Sequence, residues 1–384
     1  MQARWVEALG RLATRHLKRE LRVVERAGPL IIRNGLKLIN LASNDYLGLA
    51  SDERLVAAVC AALSRYGVGA GASRLLAGDF PIHEELEAAL AEFKRAEAAL
   101  VFSSGYATNI GVLTALATPR DHLYLDQFVH ASLHDGARLS GAAIHRFRHA
   151  DVGDLEKRLS ETTSRGMRIV VTDGVFSMDG DLAPLPQLVE VCGRFDALLV
   201  VDDAHGTCVV GPQGRGTVAH FGLEGHVPVQ IGTLSKALGV QGGFVTGSRE
   251  LIQFLVQRAR SFIYSTGIAP ALAAAALDAL RIAQSEEWRR SVALRHREML
   301  ARNLRSKGYR VIGQPEAPMM SVVVGEPEAA LELAHALEVA GVYAPAIRPP
   351  TVPHGTSRVR LAPVATHTTE QIELVIAAFP EKSR

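Results

Sequence analysis

Between about residues 49 and 284, short apolar runs alternate with helical patterns, and this alternation limits the fold more than any other feature of the chain. Runs without polar punctuation are strands buried on both faces. Strands separated by helices pair in parallel, which gives an α/β fold with a mostly parallel sheet covered on both sides. The clearest strands are expected at residues 98–102, 168–172, 197–201 and 228–231. Ile82, Leu86, Leu90 and Phe93 mark a helix between them, opened at Pro81. The Ala-rich stretch at 269–280 is bounded by Pro270 and Asp278 and reads as a buried helix.

Two further segments flank this region. Val6, Leu9, Leu12 and Leu17 recur near helical spacing, which predicts an amphipathic helix through about Arg26. Two apolar runs split by Asn34-Gly35 predict a hairpin. After about residue 286 a charged helix leads into a second α/β unit with strands at 320–324 and 358–361. A chain of 384 residues exceeds one hydrophobic core. The expected division is an N-terminal helix and hairpin at 1–48, a large domain at 49–285 and a smaller C-terminal domain at 286–384.

The net charge of +2 gives no reason to expect nucleic acid or an anionic surface as partner. Arg4, Glu7, Arg11 and Arg15 interrupt the N-terminus, so a secretory signal is not expected. No run approaches the roughly 20 apolar residues of a membrane span. Cys60, Cys192 and Cys208 lack any CxxC spacing, which argues against disulfides or structural zinc and fits a reducing cytoplasm. Cys208 reads as a buried thiol rather than a nucleophile.

The chemistry lies in Val200-Val201-Asp202-Asp203-Ala204-His205-Gly206 and Gly232-Thr233-Leu234-Ser235-Lys236. Asp202 follows an apolar strand, where ligands of open α/β sheets gather. Alone it would read as a helix cap, and Asp203 beside it suits structural work. Lys236 alone would read as a solvated surface residue. Small and apolar neighbours suggest instead a buried amine ready for Schiff-base exchange. Together they match the needs of pyridoxal phosphate (PLP): an amine for its aldehyde and a carboxylate for its pyridine nitrogen. Ser103-Ser104-Gly105-Tyr106-Ala107-Thr108-Asn109, leading from a strand into a helix, suits a phosphate, as do the hydroxyls of Thr233 and Ser235. His130 is a candidate for stacking on the ring, and Ser177 could face the same pocket. Gly67-Val68-Gly69-Ala70-Gly71 follows a helix rather than a strand, so a dinucleotide loop is rejected in favour of a mobile substrate loop.

Asn44-Asp45-Tyr46-Leu47-Gly48-Leu49, the segment from Thr172 to Asp181, Asp202-Asp203-Ala204-His205-Gly206 and Thr233-Leu234-Ser235-Lys236 resemble the α-oxoamine synthases. The likeness runs nearly end to end and in family order. It implies a fold-type I PLP-dependent transferase with a mostly parallel seven-stranded sheet and a smaller C-terminal α/β domain. The implied reaction joins an amino acid to an acyl thioester with loss of carbon dioxide. The segment around Arg348-Pro349-Pro350-Thr351 resembles the branch that uses L-alanine with pimeloyl-CoA or a pimeloyl-carrier protein.

By position, the resemblance makes Lys236 the Schiff-base lysine, Asp202 the pyridinium partner and His130 the stacking group, in contact with substrate as well. Ser177 and His205 are implied on the cofactor's phenolic side, and Gly105, Tyr106 and Thr233 at its ring or phosphate. Ser265 and Thr266, after Tyr264, match a segment that crosses to the partner subunit's phosphate, which implies a homodimer with shared sites. Arg360 is implied to grip the amino-acid carboxylate, with Asn44 assisting and Thr351 touching substrate. Lys18, Arg19 and Arg22 compete for the family's N-terminal substrate arginine, with Arg19 preferred. Asp173 stands where the family commonly has glutamate.

Overall fold

The computed structural model describes residues 2–25, 28–163 and 165–381. It divides into two compact units. One takes the chain up to Gly48, the piece Met178–Asp181 and everything from Ser291 onward; the other takes Leu49–Ser177 and Leu182–Arg290.

The N-terminal helix spans Gln2–Thr14 and stops well short of the expected end, while Arg26 lies outside the described residues. The apolar spacing explains the stop, because Leu9 and Leu12 lie on one face but Leu17 comes five residues later, out of phase. His16 turns left-handed at φ 55°, and Leu17 N–H donates back to Leu12 O at 2.8 Å, which closes the helix. The hairpin forms as expected: β1 (Leu30–Arg33) and β2 (Leu36–Asn40) pair antiparallel across Asn34 and Gly35. Both turn residues have positive φ, 51° and 75°, as a two-residue hairpin turn requires.

The larger unit holds the sheet. Its strands are β3 (Ala98–Phe102), β4 (His122–Asp126), β5 (Ala143–Phe147), β6 (Arg168–Asp173), β7 (Ala197–Asp202), β8 (Val229–Thr233) and β9 (Gly243–Gly247). They form one seven-stranded sheet in the order β3-β9-β8-β7-β6-β4-β5, antiparallel only where β9 meets β3 and β8. Successive residues point to opposite faces. Ile169, Val171 and Val200 enter a core with Leu113, Leu133 and Leu255, while Val170, Leu199 and Val201 enter another with Leu155, Leu188 and Val191. Two covered faces are why these strands show no polar alternation.

Three strands escape the sequence reading for physical reasons. β5 lies at the sheet edge and carries His145 and Arg146, β4 carries polar residues at both ends, and β9 begins and ends in glycine. The Ala-rich helix is present at Pro270–Ser285 and is largely buried. Residues 67–78 follow the helix Glu53–Tyr66 and carry no helix or strand, so the order is not that of a dinucleotide loop. Among the described residues, no helix is long and apolar enough to cross a membrane.

Asp203 does structural work. Its carboxylate is fully buried and accepts from Lys94 Nζ at 3.0 Å and Thr217 Oγ1 at 2.8 Å. Lys94 ends the helix Pro81–Lys94 and also donates to Arg215 O at 2.8 Å. Lys94→Met should cost about 3–5 kcal/mol by leaving a buried carboxylate unpaired, and chemical denaturation would measure it. All three cysteines are free, and burial pushes the Cys208 thiol up to about 12, which suits a buried thiol rather than a nucleophile.

In the smaller unit, β10 (Arg310–Ile312), β11 (Met320–Gly325), β13 (Ala346–Ile347) and β14 (Ser357–Leu361) form an antiparallel sheet in the order β10-β11-β14-β13. The short β12 (Val342–Tyr343) pairs with β2 in parallel. His367 is buried here, its Nδ1 accepting from Val364 N–H at 2.9 Å. Burial pulls its pKa from the ordinary 6.5 to about 4. The unfolded chain binds this proton first, so the stability is whole above about 6.5 and is lost as pH falls toward 4. The loss should total about 3 kcal/mol. Urea unfolding of wild type and His367→Gln across that interval should show a shallower fall for the variant.

Candidate active site

Asp202 ends β7 in the middle of the large sheet and is almost fully buried. Its two oxygens are held from opposite sides: Oδ1 accepts from Ala204 N–H at 3.0 Å and Oδ2 from the Asn109 amide at 2.6 Å. Lys236 follows the neighbouring strand β8 in a loop closed by Gly239 N–H on Lys236 O and Val240 N–H on Leu234 O, both at 2.9 Å. Lys236 is half-buried, less than its apolar neighbours suggest. Thr233 Oγ1 donates to Gly242 O at 2.8 Å, which fixes the start of that loop. With its proton spent there, Thr233 accepts from Ser235 Oγ at 2.7 Å.

These residues face a cleft of about 280 Å³ within the larger unit. Gly105, Tyr106, His130, Asp202, His205, Thr233 and Lys236 all line it. Ser177, Ser265 and Thr266 belong to the same unit but are not among the lining residues. Two further lining residues are Asn109, which the sequence placed only at the end of the phosphate-binding segment, and Asp173, whose role it left open. Asn109 lies four residues after Gly105, one helical turn on, which puts it on the same face of the helix as the phosphate-binding turn.

His130 caps the helix Ala131–Ser140, and its own N–H donates to Asp173 Oδ1 at 3.2 Å. The ring is open to the cleft, yet the surrounding protein desolvates it enough to lower its pKa. Asp173 sits beside Asp202 in the parallel register of β6 and β7. Burial, followed by the Asp202 carboxylate next to it, raises its pKa well above the usual carboxylate range. The shorter acid thus serves here as an acceptor for the His130 backbone. Tyr106 is held by its hydroxyl, which donates to Asp135 Oδ2 at 2.6 Å.

The phosphate-binding reading rests on the helix Gly105–Leu116. Ser104 caps it by accepting from Ala107 N–H at 3.1 Å, and its first turn carries no acid. The N–H groups of Gly105 and Tyr106 have no acceptor among the described residues. Strand β9 crosses close beside this turn. A Cβ on Gly243 would come within 2.6 Å of Gly105 N and Cα and within 2.5 Å of Thr108 Oγ1. Gly243→Ala should therefore push the turn out of place, lowering stability by about 1–3 kcal/mol and weakening phosphate-ligand binding. Thermal unfolding and cofactor titration read the two effects separately.

The smaller unit holds the remaining expected residues in two groups. Arg360 on β14 is buried and donates to Asn44 Oδ1 and to Tyr46 OH, each at 3.0 Å. Burial pushes the Tyr46 phenol up to about 12, so it stays protonated beside the guanidinium. Arg19 Nη2 donates to Thr351 Oγ1 at 3.1 Å, in a cleft of about 700 Å³ that Lys18, Arg22 and Arg348 also line. Of the three competing cations, Arg19 is thus the one joined to Thr351, while Lys18 pairs with Glu20 at 3.2 Å.

The profile of the family described as Aminotransferase class I and II matches residues 37–379. The chain belongs to this family. The 8-amino-7-oxononanoate synthase of Symbiobacterium thermophilum is 45% identical over 381 residues, covering 99% of this chain and 97% of its own. That of Lysinibacillus sphaericus is 43% identical over 373 residues, covering 94% of this chain and 96% of its own. Among solved structures, a serine palmitoyltransferase from S. paucimobilis with a bound PLP–myriocin aldimine superposes with a TM-score of 0.93 at 32% identity. The match covers 98% of this chain and 95% of that chain. Within the family the chain is an α-oxoamine synthase of fold type I, and its cofactor is PLP. The cleft fits that cofactor. It offers an amine, a held carboxylate and, at the open helix start, two N–H groups without acceptors among the described residues.

Proposed function

We propose that the chain is an 8-amino-7-oxononanoate synthase, a step of biotin biosynthesis. It condenses L-alanine with pimeloyl-CoA or a pimeloyl-carrier protein, releasing carbon dioxide and the free thiol. The observation that carries this reading is the near end-to-end identity to synthases of that name, 45% over 99% of the chain. When bound, the cofactor supplies an aldehyde for amines and a pyridine ring that draws electrons from the carbon beside the amine.

The chain's own groups do the rest. Asp202 keeps a proton on the pyridine nitrogen through a charge-assisted bond. Lys236 Nζ takes the proton from alanine Cα and later returns one. His130 covers the ring face and meets substrate. The N–H groups of Gly105 and Tyr106 hold the phosphate; Thr233 is assigned there by resemblance, and its hydroxyl proton is spent on Gly242 O. His205 serves the phenolic oxygen; Ser177 is assigned there by resemblance. Arg360, held by Asn44 and Tyr46, is assigned to the alanine carboxylate by resemblance, a task that a guanidinium fork suits. Arg19 and Thr351 serve the substrate. Ser265 and Thr266 belong to the phosphate site of a second subunit, in a cytoplasmic homodimer.

The likeness to serine palmitoyltransferase supports a second reading, in which serine or glycine replaces alanine. Product mass after incubation with pimeloyl-CoA and each amino acid decides between them. The expected result is 8-amino-7-oxononanoate from alanine; a product from serine or glycine alone would overturn the proposal.

A further inference from the structure

Asn109 and Ser132 are polar and almost fully buried, and neither drew a role of its own from the sequence. We infer that these two residues form a one-way hydrogen-bond relay. It joins Asp202 to His130 and fixes His130 as the neutral imidazole with its proton on Nε2. The inference rests on reading the cleft as the cofactor site, and it names positioning residues for that reaction.

The direction of the relay follows from donor chemistry. A carboxylate only accepts, so the group of Asn109 at 2.6 Å from Asp202 Oδ2 is its amide NH₂. The second hydrogen of that NH₂ goes to Ser132 Oγ at 2.8 Å. Ser132 Oγ lies 2.7 Å from His130 Nδ1, and it donates there because that nitrogen already accepts from a backbone N–H. The backbone N–H of Ser132 also points at Nδ1, at 3.3 Å. Two donors converge on that nitrogen, so it carries no proton and Nε2 does.

Protonating His130 at Nδ1 would require both donors to turn away. Burial opposes the charge as well, and among the charged groups around the ring Lys236 opposes it while Asp202 and Asp135 favour it. The chemical consequence concerns the stacked pair. A cationic imidazole over a protonated pyridine would set like charges face to face, whereas a neutral ring does not. The same NH₂ that orients Asp202 to hold the pyridinium proton thus helps to withhold a proton from His130. Asn109 couples the two because its paired N–H groups lie in one plane.

Histidine labelled with ¹⁵N reads the tautomer directly, with the His130 signal assigned by its loss in His130→Gln. In both apo and PLP-loaded protein His130 should show the Nε2–H form at neutral pH. Ser132→Ala removes one donor to the neutral ring and should raise the His130 pKa by about one unit, while Ser132→Thr should restore it. Asn109→Ala should weaken PLP retention, read by dialysis and visible absorbance. An Nδ1–H tautomer in wild type would overturn the inference, as would an unchanged titration in Ser132→Ala. The wild-type measurement stands even if a variant fails to fold. Failure of the wild-type protein to take up PLP would instead count against the cofactor reading, because the apo tautomer is measured without it.

Discussion

Lys236→Ala should lower turnover by at least about 10³-fold, since one amine supplies both the bond to the cofactor and the proton transfer. The loop around it is closed by backbone hydrogen bonds of Leu234, Gly239 and Val240, none of which uses the lysine side chain. The variant should therefore keep its fold in the apo form, read by far-UV circular dichroism. The absorbance band of the lysine-bonded cofactor should give way to that of the free aldehyde, because no other lysine lines the cleft among the described residues. Turnover at the wild-type rate in a PLP-loaded sample would remove Lys236 from the mechanism.

Asp202→Asn should retain the fold and lose about 10²–10³-fold in kcat, comparable to removing one preorganised electrostatic partner. A neutral amide cannot offset a pyridinium charge. The geometry adds a second cost. Both oxygens of Asp202 face donors, Ala204 N–H and the Asn109 NH₂, so an amide placed there sets donor against donor at one of them. Cofactor retention should weaken along with the rate. Single-turnover kinetics at saturating PLP separates the two effects, and a near-normal rate under those conditions would show that Asp202 does not hold the pyridinium.

Much of the large sheet was legible because a doubly covered strand must be apolar along its length. β3, β6, β7 and β8 stand out for that reason. β4, β5 and β9 did not, because an edge position, polar ends or terminal glycines weaken the same signal. The N-terminal helix was overextended because apolar residues continue after Leu12 but lose their phase. Lys236 and Asp202 were legible because their chemistry is rare at strand ends. The contacts of Asn109 and Asp173 were not, since an asparagine in a helix and a second acid after a strand carry no chemical signature of their own.

The sequence by itself determined the fold class and the cofactor, and it singled out Lys236 and Asp202 as the proposed amine and carboxylate. These depend on local periodicity and on which side chains can react. Only the tertiary structure decided that residues from five separate segments share one cleft, and that Asn109 orients Asp202. It also decided that Arg19, rather than Lys18, meets Thr351. Those relations span up to 332 positions along the chain. They are set by strand order and packing, which no local pattern encodes.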